Sequence, residues 1–426
     1  MSRFQPYNPD QAYLLPPSVK EVLAAGHLCF FVQQMVAKLD VEPFEQEYSE
    51  EGGQLYHPAL MLSVWLYAYA TGITSGRELD RRIREDLGLR YLAGGAQPDE
   101  WTLSAFRRRH RRAINDVFVQ VVEFIRDQGL GKLGTVAVDG TMVQASNSKS
   151  RVDREKKLRQ QRARYRQQIR WWQKRCEAED KGVAVEYARE QMEKVQKQLE
   201  TIPGRLQALK KSGVERLPRT DPDARVLKKR GKSVVGYRAQ IAVSEDHFIV
   251  AQEVTQVGAE NGSLLPMVEQ VKSNCGEKPK KVLGDAGLYS NDNIKALKKD
   301  GIDAYVPDSN LAAALNRGGR VKGRAKAAVL KEMRAKFRTL EGRRVYGQRK
   351  GIVEGAFGTL KVERHMAQFR LRGLGKVNLE FTLGVLGYNL MRLHHELNPD
   401  SALRRRRRAR ARKKEQERAN RRCRKS

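Results

Sequence analysis

Cysteine is scarce and scattered. The chain has four, Cys29, Cys176, Cys275 and Cys423, and no two form a CxxC pair. That excludes a zinc ribbon, argues against a disulfide framework and fits a reducing, cytoplasmic setting. Long apolar runs are also missing. No stretch of about 18 apolar residues occurs, so no membrane-spanning helix is expected. The start, MSRFQPYNPDQ, lacks the apolar centre of a signal peptide. Seven histidines are spread along the chain, and the adjacent His394 and His395 cannot share one helix face. Acid is in short supply relative to base. Asp and Glu number 50 against 82 Lys and Arg, a formal net charge of +32. A chain this basic repels itself unless a polyanion is near. Nucleic acid is the default partner, and an anionic membrane surface the weaker alternative.

What is present divides into blocks. At 426 residues, two to three domains of roughly 150 residues are expected. Residues 1–130 read as an all-helical domain. LMLSVWLYAYATG is a broad apolar helix ending at Gly72, and Ser75 with Glu78 forms a capping-box pattern for the next one. A third helix runs through FRRRHRRAINDVFVQVVEFIRD, with Thr102 or Ser104 as its cap. Its first turns carry Arg107, Arg108, Arg109, Arg111 and Arg112, either a solvated face or a set of phosphate contacts.

Residues 131–149 and 217–396 read as α/β. Thr135-Val136-Ala137-Val138 is a buried-strand pattern. VVGYRAQIAV and FIVAQEVT are two strands joined through SEDH, a hairpin signal. KKVLGDAG and DAYVPD are further strands around a helix that Asn291 would cap. Hairpin strands followed by strand–helix–strand predict a mixed sheet with helices packed on it. Residues 309–345, basic and carrying NRGGRVKGRAK, read as a mobile loop before a last helical stretch. Between the two α/β parts, residues 150–216 show heptad-like apolar spacing on both sides of EDKG, an inserted helical hairpin with a strongly basic first half. Its Trp171 and Trp172 either pack the seam or stack on bases. Residues 397–426 form a basic tail with too little apolar surface to fold alone.

Three acids stand in unusual places. Asp139 and Asp285 each close a buried strand, and Glu354 lies in a helical segment among Ile352, Val353, Phe357 and Leu360, which predicts partial burial. Carboxylates at neighbouring strand ends can converge, and hard divalent cations want oxygen ligands. The plain alternative is a turn residue after each strand. Asp221 and Asp223 precede a strand instead of ending one, and are assigned turn or capping roles.

At these residues the chain resembles a bacterial insertion-sequence transposase of the DDE class, over about residues 45–396. The stretch from YHPALMLSVWLYAYATG to WTLSAFRRRH resembles the helical domain that precedes the catalytic core. VAVDGTMVQASNSK, VLGDAGLYSNDNIKAL and YGQRKGIVEGAFGTLK resemble the three acid blocks. The resemblance implies a ribonuclease-H-like mixed sheet flanked by helices, with Asp139, Asp285 and Glu354 as catalytic, metal-holding residues. It implies two Mg²⁺ ions, with Mn²⁺ as a substitute, and no small-molecule cofactor. Tyr346, Arg349, Glu354 and Lys361 match the wider signature around the third acid, with phosphate contact as the role of the cations. The Arg-to-Glu spacing is one residue longer than in the family, which leaves Lys350 as an alternative to Arg349. The implied activity is two-metal hydrolysis at the element's ends, then strand transfer into target DNA. Double-stranded DNA is the implied partner, a homodimer on DNA the implied assembly, and a cytoplasmic, nucleoid-associated location the implied setting. A non-enzymatic nucleic-acid-binding protein and a structure-specific nuclease on the same fold are the alternatives.

Overall fold

A computed structural model of the chain describes residues 18–48, 55–148, 150–178, 182–229, 231–258 and 260–398. The basic tail lies outside them. None of the described helices is long and apolar enough to cross a membrane.

Helices fill the first part of the chain. α1 (Pro58–Ala70) starts at a proline, whose fixed φ suits a first helical position. It is apolar on every side, so it must be buried all round, and Trp65, Leu66 and Tyr69 are fully enclosed. Ser75 precedes the helix Gly76–Glu85 as expected, but its side chain makes no capping bond. The long helix expected around FRRRH is two helices, α2 (Glu100–Arg109) and α3 (Arg111–Asp127). Asp99, not Thr102 or Ser104, caps α2, accepting from the Thr102 backbone N–H at 2.7 Å. The break falls at His110 (φ −87°, ψ 38°), whose buried ring packs against Phe44, Tyr48 and Phe106.

The centre of the sheet is β1 (Thr135–Gln144). After it, β2 (Val152–Asp153) pairs with β3 (Leu217–Pro218) at the root of a hairpin of α4 (Glu155–Ala178) and α5 (Val183–Ser212). The chain then forms β4 (Arg225–Lys229), β5 (Lys232–Ser244) and β6 (Ile249–Thr255). The β4–β5 hairpin is absent from the sequence reading. Its signal was the turn glycine Gly231, at φ 78°, where only glycine is free of strain. β5 runs antiparallel to β1 on one edge and to β4 and β6 on the other.

Helix α6 (Leu264–Cys275) leads to β7 (Lys281–Leu283), and α7 (Asn291–Lys299) leads to β8 (Asp303–Tyr305). Ser290, not Asn291, caps α7, through a 3.0 Å bond from the Asn293 backbone N–H. β7 and β8 are parallel to β1, so the order across the sheet is β6–β5–β1–β7–β8, with β4 extending β5. The segment expected as a loop holds two helices, α8 (Ser309–Arg317) and α9 (Ala328–Lys336). α10 (Leu340–Gly358) continues into a π turn, Thr359–Glu363, and α11 (Leu374–Leu397) ends the described chain.

α11 joins the two halves. It packs on α1 and α3 and on β6. The approach to α1 is so close that a Cβ on Gly387 would lie 2.6 Å from the Tyr69 backbone, a contact only glycine permits. One continuous hydrophobic core therefore includes both the N-terminal helices and the sheet. The hairpin root has a small core of its own, Leu158, Ile202, Leu209 and Leu217. Each such side chain contributes about 1.5–3 kcal/mol on burial, enough to hold a root but not a whole arm.

Candidate active site at the ends of two parallel strands

The register of β1 against β7 decides the geometry. Ala137 pairs with Leu283, and Asp139 and Asp285 each lie two residues further on. Parallel strands point the same way, so both acids lie on the same side of that rung; Asp285 follows the end of β7, while Asp139, expected to close its strand, sits within β1, which continues to Gln144. Both carboxylates also act on Tyr346 of α10. Burial is the main cause that raises the Tyr346 pKa; Asp285 and Asp139 raise it further, while Arg349 pulls it down. The four groups thus share one neighbourhood.

Local bonds hold each acid. Asp139 Oδ1 accepts from the Gly140 backbone N–H at 2.9 Å, and its Oδ2 lies 3.3 Å from Arg349 Nη1. Asp285 Oδ1 accepts from the Gly287 backbone N–H at 2.9 Å, which starts a short 3₁₀ turn. Beside that turn sits Glu260, ion-paired to buried Arg238. A side chain at Gly287 would meet the Glu260 carboxylate, which would have to shift to admit it. Sequence reading missed Arg238 and Glu260. Their only signal was an acid in the loop after β6, in a chain poor in acid.

The third acid behaves differently. Glu354 is exposed, contrary to the partial burial expected from its apolar neighbours. Those neighbours, Ile352, Val353 and Ala356, occupy the face toward the core and turn Glu354 outward. Seven residues on, Lys361 would share a face with Glu354 on a regular helix. The π turn at Thr359–Glu363 intervenes, and an added residue per turn shifts the helical phase. Lys361 instead reaches β1, donating to Thr141 Oγ1 at 2.5 Å and to the Met142 carbonyl at 3.2 Å. A cleft of about 1360 Å³ opens against Asp285, walled by α8, α9 and α10, with Lys350 exposed on its rim.

Other expected contacts sort themselves by burial. Arg107 is not available to DNA. It is buried, donates to Tyr69 Oη at 2.6 Å and to the Thr74 carbonyl at 3.2 Å, and lies over the Trp65 ring. Arg108, Arg109, Arg111 and Arg112 are exposed. Asp221 and Asp223 have the supporting roles assigned to them. Asp221 Oδ1 accepts from Tyr237 Oη and the Gly373 N–H, and Asp223 Oδ2 accepts from the Leu374 N–H at the start of α11.

Residues 17–109 match a family model described as transposase domain (DUF772), and residues 314–394 match one described as transposase DDE domain. Two separate stretches of the chain thus match transposase models. In that order they are consistent with an insertion-sequence DDE transposase. No curated protein and no solved structure matches the chain. The transposase DDE match includes Tyr346, Arg349, Lys350, Glu354 and Lys361; Asp139 and Asp285 lie between the two matched regions. Transposase domains imply a DNA-processing enzyme, and a DDE domain implies a divalent metal. The aspartate pair suits such a cation, with hard oxygen donors side by side. The full donor set is not assembled. Among the described residues, no three His, Cys, Asp or Glu side chains stand close enough to hold a metal ion. Glu354, the third acid that the resemblance implies, does not join the two aspartates, and Arg349 is a cation that Asp139 faces.

Proposed function

We propose that the protein is a DDE transposase with a ribonuclease-H-like core, which cuts the DNA ends of its own element and joins them to target DNA. The observation that carries this reading is the matched offset of Asp139 and Asp285 beyond the Ala137–Leu283 rung. A central strand with antiparallel neighbours on one side and parallel ones on the other supports the ribonuclease-H-like reading. In this proposal Asp139, Asp285 and Glu354 are the catalytic, metal-holding residues, and two Mg²⁺ ions are the cofactor, replaceable by Mn²⁺. In this arrangement Glu354 is exposed and stands apart from the aspartate pair.

The chain's own cations have definable work. Lys361, anchored on Thr141, and Arg349, beside Asp139, offer charge-assisted hydrogen bonds to a phosphate at the aspartate pair. Tyr346 and Lys350 extend that contact into the cleft. Arg108, Arg109, Arg111 and Arg112 form a second exposed basic set. Two element ends must be held together, so a homodimer on DNA belongs to the proposal, in the cytoplasm at the nucleoid. The test is incubation with DNA carrying the element's ends, in Mg²⁺, Mn²⁺, Ca²⁺ or excess chelator. Nicks with 3′-hydroxyl ends at the boundary are expected in Mg²⁺ and Mn²⁺, and later joining to target. Ca²⁺ takes the same ligands at longer distances, so binding without turnover is expected. Turnover in chelator sinks the proposal. A non-enzymatic DNA-binding relative is the second reading, and the outward-facing Glu354 is the observation that favours it.

A further inference from the structure

We propose that helix α4 is a duplex-DNA-binding arm, which grips phosphates at a distance from the candidate active site. The inference rests on the reading that DNA is the partner and goes beyond it by assigning the inserted hairpin.

The hairpin is held at its root, and beyond it α4 and α5 pack mainly on each other. At the root, Arg205 Nε donates to Asp153 Oδ2 at 2.9 Å over the small apolar core, and Asn147 Oδ1 accepts from the Thr220 backbone N–H at 2.9 Å. Above the root, Leu158 is the one fully buried side chain of α4 among the described residues. Near the tip, Trp172 meets Tyr187 of α5 edge-on, while Trp171 is half exposed beneath the Arg175 guanidinium. The arm follows the C-terminal end of β1, beyond Asp139.

The two helices differ in how their charge is handled. α4 has nine Lys or Arg against two Glu. All nine cations are exposed, and only Arg159 has a carboxylate partner among the described residues, Glu155. On α5, by contrast, Lys194 pairs with Glu190 and Lys197 with Glu193. At 3.6 residues per turn, the α4 seam residues Leu158, Tyr165, Ile169 and Trp172 fall on one side and the cations around the rest. Arg162, Arg166, Arg170 and Lys174 form one row at successive i, i+4 positions. Like charges at that spacing destabilise a helix, a cost that a line of phosphates removes. A solvated face kept only for solubility does not need such a row, and α5 shows how the same chain neutralises one. The helix, 24 residues long, spans about 36 Å, which matches about one turn of duplex DNA.

The test compares three full-length proteins on random-sequence duplex across a salt series, by fluorescence anisotropy. They are wild type, Arg162→Gln/Arg166→Gln/Arg170→Gln/Lys174→Gln on α4, and Arg189→Gln/Lys194→Gln/Lys197→Gln/Lys211→Gln on α5. Both variants lose four charges at exposed positions, and far-ultraviolet circular dichroism checks that the helices persist. Each phosphate contact contributes about −0.9 to the slope of log affinity against log salt. The α4 variant is expected to flatten the slope by roughly three to four units, and the α5 variant to keep the wild-type slope. Equal flattening in both variants, or none in either, overturns the arm while leaving DNA as the partner. An α4 variant that keeps its slope but loses self-association in sedimentation assigns the face to a second copy, and also overturns it. Wild type that binds no duplex overturns the functional reading and this inference together.

Discussion

Arg349 and Asp139, 210 positions apart in sequence, meet as an ion pair: Nη1 lies 3.3 Å from Oδ2, with both side chains mostly buried. One substitution therefore has two effects. Asp139→Asn removes a proposed metal-holding charge and releases Arg349 at the same time. Asp285→Asn removes a charge but releases no described ion pair.

All three amides, Asp139→Asn, Asp285→Asn and Glu354→Gln, are expected to abolish cleavage. Losing a metal-holding carboxylate costs several kcal/mol, roughly a thousandfold in rate. DNA affinity separates them. Asp139→Asn should bind random duplex up to about fivefold more tightly than Asp285→Asn, the value of one freed, partly buried pair. Near wild-type cleavage by Asp285→Asn refutes the site. Equal affinities show that Arg349 does not reach the DNA.

Asp221 supports the fold, not the chemistry. It is fully buried and accepts from Tyr237 Oη at 2.8 Å and from the Gly373 N–H at 3.0 Å. Asp221→Ala leaves both donors unpaired, at about 1–3 kcal/mol each. Urea denaturation should show a loss of roughly 2–5 kcal/mol. A loss under about 1 kcal/mol contradicts the described bonds.

His110 makes stability depend on pH. Burial lowers its pKa; Glu47 opposes this, and Arg109 adds to it. A histidine whose folded pKa is depressed binds fewer protons folded than unfolded in the window between the two values. Stability is therefore complete above the unfolded value, about 6.5, and falls as pH drops through the folded one. Melting temperature should decline below about pH 6.5, and His110→Asn, which cannot titrate there, should flatten that part of the profile. An unchanged slope in the variant removes His110 as the cause.

From Arg404 to Lys425 the tail holds 14 Lys or Arg. If about half of them meet phosphates, deleting residues 404–426 should flatten the salt dependence of binding by roughly six units. The nicking reaction should persist. Matching slopes show that the tail does not touch DNA.

Much of this protein is legible along the chain, because its signals are local. The +32 charge, the strands that carry Asp139 and Asp285, and the heptad spacing of the hairpin each need only a few neighbouring residues to be read; that β1 runs on past Asp139 to Gln144 does not show there. The order of the acid blocks carried the transposase resemblance for the same reason. Capping was read less well. Asp99 and Ser290 are the caps where Thr102 and Asn291 were expected, since capping depends on which residue leaves helical geometry first. The break at His110 depends on Phe44 and Phe106, which are close only after folding.

Tertiary structure decided the rest. Whether Asp139 and Asp285 meet depends on the register of two strands separated by well over a hundred residues, and register is set by pairing and burial across the sheet. Arg107 looked like its neighbours in sequence, yet Trp65 and Tyr69 enclose it, because α2 presents that one position to α1. Glu354 and Lys361 have a spacing that places them together on a regular helix. The π turn breaks the regularity after Glu354, so Lys361 reaches β1, while Glu354, on the regular part of the helix, faces outward. A periodic argument holds only while the period does, and packing against the sheet, not the local sequence, set where this one ends.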